Sequence, residues 1–145
     1  MTMSITEAYK IGAYLPKPIV GDHISKVAEK AVSLANTKEV TTFFEFNSWL
    51  FVVSPNATVD EIHLSHEKKT STSNVKVYYV EGMVPFGEDD DLIWLDFSYV
   101  AERAVWYGGE SQGTVYFTYM NRLFVVGLGS TVDEVYSLGI SLGLC

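Results

Sequence analysis

Apolar positions along the chain follow two periods, one after the other. Ile24, Val27, Ala28, Ala31, Leu34 and Ala35 recur at helical spacing, while Lys26, Glu29, Lys30 and Ser33 fall elsewhere on the wheel. This predicts an amphipathic helix. Thr41–Phe46 and Trp49–Val53 are then β-branched and aromatic runs separated by Asn47-Ser48, which reads as a hairpin. Phe44 and Phe46 share one face of the first strand and are core candidates. A short loop leads to Thr58-Val59-Asp60-Glu61, the Thr-x-x-Glu pattern of a capping box, and so to a second helix.

The same order returns 73 residues later. Val27–Ile62 and Val100–Val135 align without a gap over 36 positions, of which 15 are identical. Val27-Ala28-Glu29-Lys30-Ala31-Val32 matches Val100-Ala101-Glu102-Arg103-Ala104-Val105. Leu50-Phe51-Val52-Val53 matches Leu123-Phe124-Val125-Val126, and Thr58-Val59-Asp60-Glu61 matches Thr131-Val132-Asp133-Glu134. The second helix–hairpin–helix set starts near Leu92, with its first helix ending before Gly108-Gly109. Its strands are Thr114–Tyr119 and Arg122–Val126, with Phe117 and Tyr119 as core candidates.

These elements predict an α+β fold: an internal duplication of a helix–β-hairpin–helix unit, packed as a pseudo-two-fold pair on one antiparallel sheet. The chain reads as a single domain over 1–145, with units at about 24–66 and 92–142 and a polar linker at about 66–74. Val75–Val80 adds a further strand, and Tyr9–Tyr14 an edge strand.

Composition narrows the class. A chain of 145 residues with 48% hydrophobic content can build a sizeable core. No apolar run approaches a membrane span, and the N-terminus carries no signal-peptide pattern. Cys145 is the sole cysteine, so no internal disulfide and no thiolate metal cage can form. The expectation is a soluble, cytoplasmic protein. Net charge is −8 and unevenly placed: residues 1–70 hold 8 acids and 7 bases, residues 71–145 hold 10 and 3. Such a second half repels phosphate backbones and attracts basic partners, so direct nucleic-acid binding is disfavoured.

Little of the sequence points to chemistry. Gly127-Leu128-Gly129-Ser130-Thr131 lies between a strand and a helix, yet Val132 replaces the third glycine of a nucleotide fingerprint and no P-loop lysine is present. It reads as a tight turn. His63, His66 and Glu67, with Asp60 one turn earlier, share a helix face at metal-ligand spacing. The second copy keeps none of the histidines, and the set reads as a solvated helix end. Glu88, Asp89, Asp90 and Asp91 lack the spacing of a calcium loop and suit a helix N-terminus or an acidic docking surface. No nucleophile, acid and base set can be assembled, so no catalytic residue, metal or cofactor is assigned.

The aromatics are more informative. The first helix of copy two carries Trp94, Phe97, Tyr99, Trp106 and Tyr107, where copy one has Gly21, Ile24, Lys26, Ser33 and Leu34. One stripe cannot hide all five, so the helix is either central to the fold or partly an interface. The reading that follows is a non-catalytic regulator, inhibitor or adaptor that binds another protein with a basic surface. Trp94, Trp106 and Tyr107 are its anchors and Glu88, Asp89, Asp90 and Asp91 its steering charges. Mimicry of nucleic acid is a special case of this reading, and a homo-oligomer is compatible with it. The alternative is a small-ligand, nucleotide-type binding protein with its site between units or protomers, for which Lys and Arg are scarce.

Overall fold

A computed structural model describes residues 6–12, 23–84 and 96–143 of the chain. It is mixed α+β, with four helices and two sheets in those residues. The chain divides into two compact units. One is continuous, Ile11–Tyr79; the other is divided, Met1–Lys10 together with Val80–Cys145. The one antiparallel sheet read from the sequence therefore gives way to two sheets, each with its own core.

In the continuous unit, helix α1 (Ile24–Lys38) leads into β2 (Thr42–Phe46), β3 (Trp49–Val53), α2 (Val59–Lys68) and β4 (Val75–Tyr79). The sheet order is β2-β3-β4, antiparallel throughout. Helix α1 buries Val27, Ala28, Ala31 and Ala35, and these pack with Phe44, Phe51, Val53, Ala57, Ile62 and Val75. Three alanines in that stripe let the helix lie close to the sheet. Leu50 and Val52, on the other face of β3, are buried as well. A run of four buried apolar residues is what a strand covered on both faces requires.

The divided unit follows the same plan with α3 (Phe97–Ser111), β6 (Val115–Tyr119), β7 (Arg122–Val126) and α4 (Val132–Ser141). Every bound lies 73 positions after its counterpart, from Ile24 and Phe97 to Lys68 and Ser141. Its sheet is β1-β7-β6-β5, where β1 is Thr6–Lys10 and β5 is Gly82–Met83. The β5–β6 pair is parallel, unlike the wholly antiparallel sheet read from the sequence. Val100, Ala101 and Ala104 pack with Phe117, Phe124, Val126 and Val135. The ring pair at the centre of each unit is superposable in kind. Phe44 stacks on Phe51 with centroids 4.9 Å apart, and Phe117 on Phe124 at 4.9 Å.

Three local readings change. The edge strand placed at Tyr9–Tyr14 is Thr6–Lys10, and Tyr9 and Lys10 are its only residues from that range. Helix α3 starts at Phe97, not near Leu92, because Asp96 is extended and its carboxylate accepts the Ser98 N–H at 3.1 Å. It also runs through Gly108-Gly109 to Ser111. Gly108 is buried where α1 has Ala35, and the stop is Gln112, left-handed at φ 60° and matching Glu39 at φ 54°.

Both Thr-x-x-Glu boxes cap a helix, but they are not equal. Thr131 and Glu134 make both arms of the box. At Thr58 the hydroxyl accepts the Glu61 N–H, while the Glu61 carboxylate is turned toward Thr72 and Asn74, 2.8 and 3.2 Å away. Glu61 thus ties α2 to the segment before β4.

Candidate partner-binding surface

The buried stripe of α3 is Phe97, Val100, Ala101, Ala104 and Gly108. Those positions fix the phase of the helix. Tyr99, Glu102, Arg103 and Trp106, at spacings of three, four and seven, must then form one stripe on the opposite face. They line an open hollow of about 430 Å³. Trp106 is 63% exposed and Tyr99 44% exposed. The Arg103 guanidinium donates to the Tyr99 hydroxyl at 3.5 Å, the outer limit of a hydrogen bond.

On α1 the matching positions are Lys26, Glu29, Lys30 and Ser33, all exposed and none aromatic. The aromatic stripe is therefore peculiar to the divided unit. So is the charge. The divided unit holds 11 acids and 3 bases, a net of −8, whereas the continuous unit holds 7 and 7. The whole net charge of the protein falls in the unit that carries the aromatic stripe.

Of the residues singled out from the sequence, Trp106 stands out from the surface. Tyr107 is half-buried and packs against the core of its unit, so its ring serves the fold. Trp94 and the Glu88, Asp89, Asp90 and Asp91 run lie outside the described residues. Tyr99, Glu102 and Arg103 were not among the sequence-derived site residues. Counting back three, four and seven from Trp106 is the signal that finds them.

The other candidates are engaged locally. His63 Nε2 lies 3.2 Å from the Ser25 hydroxyl. His66 packs edge-on to Phe46 at 5.8 Å and against Phe51 at 6.2 Å. Burial there, then the nearby Lys69 and His63, hold its imidazole pKa below the usual value. Among the described residues no three His, Cys, Asp or Glu side chains gather as metal ligands. The Gly127-Leu128-Gly129 loop closes with Ser130 N–H donating to the Gly127 carbonyl at 3.0 Å. Gly129 adopts φ +93°, and Asn56, 73 positions earlier, adopts φ 77°. Ser130 is buried and its hydroxyl meets that of Thr6 at 2.8 Å, so this turn anchors β1.

No helix among the described residues is long and apolar enough to cross a membrane. Comparison with known proteins found no matching family model, no matching curated protein and no matching solved structure.

Proposed function

We propose that this chain is a tandem duplication in which one half keeps a solvated helix face and the other has become a protein-binding surface. The protein is a non-catalytic regulator, inhibitor or adaptor, and its partner presents a basic surface to α3. The observation that carries this reading is the exposed Tyr99–Trp106 stripe on the unit that holds the entire net charge. Covering the exposed parts of the two rings would contribute on the order of 2–4 kcal/mol each by area. The surrounding acids supply orientation and association rate more than affinity.

The duplication rests on the shared 73-residue offset of every helix and hairpin bound and on the paired phenylalanine stacks. The pseudo-two-fold pairing of the units is part of the same proposal. The nucleotide-type alternative gains nothing from this face, since Arg103 is the sole base in the stripe and donates to Tyr99. Cytoplasmic residence is proposed with it, on the single cysteine.

The test is affinity capture at low salt with the wild-type chain, Tyr99→Ala/Trp106→Ala and a Lys26→Ala/Ser33→Ala control on α1. A partner with a basic surface should be retained by wild type and control, and lost from the aromatic double variant. Raising the salt should weaken capture, as screening of an acidic surface requires. Equal capture by all three proteins would overturn the reading.

A further inference from the structure

The acidic unit is completed by a strand that does not belong to it in sequence. Strand β1 pairs with β7, with Thr6 opposite Val126 and Lys10 opposite Arg122. Immediately after Lys10 the chain leaves for the continuous unit: Ile11 is buried and Gly12 N–H donates to the Thr41 carbonyl at 3.1 Å. The mirror event follows β4. Val80 is buried, and Glu81 N–H donates to the Thr114 carbonyl at 2.7 Å, with Thr41 and Thr114 at matched positions.

The register of the two third strands is also the same. Val75 sits opposite Val53 as Thr6 sits opposite Val126, and Tyr79 opposite Trp49 as Lys10 opposite Arg122. Each repeat therefore begins one strand earlier than the helix pattern suggests. The leading strand of repeat one, β1, completes the sheet of repeat two, and the leading strand of repeat two, β4, completes the sheet of repeat one. The strands are exchanged within one chain.

We propose that β1 is an exchangeable donor, and that the edge of β7 accepts the β1 of a second copy of this chain. Three features support this. Lys10 and Arg122, paired in space, are separated in sequence by the whole continuous unit, so β1 is joined to its acceptor sheet only through that unit. None of its five side chains is buried, whereas Val75 of β4 is wholly so. What β1 supplies includes the backbone ladder, the Thr6–Ser130 contact and Ala8, partly buried against the core of the acidic unit, and any copy of β1 supplies these alike. Exchange of an identical element keeps every native contact, so chain concentration against the effective concentration in cis decides the balance. The strand is also neutral, one acid and one base, and adds no repulsion to a unit of net charge −8. During folding β1 precedes its acceptor by the length of the continuous unit, which gives a second copy its opportunity.

A cysteine trap in the full chain tests this, with Cys145→Ser throughout. Lys10→Cys and Arg122→Cys chains are refolded together over a range of concentrations and then oxidised. The expected product is a disulfide-linked dimer joined between those positions, identified by peptide mass. Its yield should rise with chain concentration and exceed by about tenfold that from Lys10→Cys mixed with Glu102→Cys, the collision control. A second pair, Thr6→Cys with Ser130→Cys, reads the same exchange if either first variant folds poorly. Yields equal to the control at every concentration for both pairs would overturn the proposal. The trap does not touch Tyr99 or Trp106, so its failure is distinct from failure of the partner-binding reading.

Discussion

Gly139 of α4 is the residue that makes room for Phe97 of α3. A Cβ built on Gly139 falls inside the space of the Phe97 ring, which is itself buried among Phe117, Tyr119, Phe124 and Tyr136. The continuous unit fills the matched positions differently. Ile24 stands where Phe97 does, and His66 where Gly139 does, with the imidazole filling space against Phe46 and Phe51.

Gly139→Ala is therefore expected to lower stability by about 1–3 kcal/mol, although alanine in a helix gains about 1 kcal/mol over glycine. Phe97→Leu should cost less in the Gly139→Ala background than in the wild type. A double-mutant cycle by urea denaturation checks this. Additive effects of the two changes would refute the packing account.

Thr42 is fully buried, and its hydroxyl has no hydrogen-bond partner among the described residues. The matched position is Val115, also fully buried. Thr42→Val removes the desolvated hydroxyl without changing shape and is expected to stabilise by about 1 kcal/mol. Measured loss of stability of that size would mean that the hydroxyl is satisfied.

Both hairpin turns place two residues at positive φ, Asn47 and Ser48 in one and Met120 and Asn121 in the other. Asparagine tolerates the left-handed region and methionine does so at a cost of about 1–2 kcal/mol. Met120 is exposed at the turn, so Met120→Asn changes little else. The expected result is a gain of about 0.5–1 kcal/mol in unfolding free energy, read by thermal or urea denaturation.

The continuous unit carries two groups whose protonation opposes folding. Burial raises the Glu61 pKa, but hydrogen bonds from the Thr72 and Asn74 side chains and the Asn74 backbone outweigh it, for a net depression below 4.5. His66 is depressed below 6.5 by burial and by Lys69 and His63. In both cases the unfolded chain binds protons more readily, so stability is full above the unfolded pKa and is lost as pH falls through the folded one. Wild type should thus lose stability in two windows, below about 6.5 from His66 and below about 4.5 from Glu61. Glu61→Gln should flatten the lower window and His66→Gln the upper one. Unchanged pH profiles of unfolding in these variants would show that other groups set the acid limb.

The sequence by itself determined the local elements, because each is specified by short-range chemistry. Helical stripes fix α1 and α3, β-branched runs fix the hairpins, and Thr58 and Thr131 start their helices through a hydroxyl three residues from its donor. The repeat offset made the second set legible from the first. What the residues of α3 do was half legible: the excess of aromatics is in the sequence, while the phase set by Phe97, Val100, Ala101 and Ala104 decides that Trp106 faces out and Tyr107 packs inward. Gly108-Gly109 misled because glycine ends helices only when its backbone is free to turn left-handed, and here Gly108 is held against β6. The pairing of β1 with β7 was not legible at all. A five-residue strand carries no address for its partner, and whether Thr6 meets Val126 or a nearer edge is a property of the assembled sheet alone.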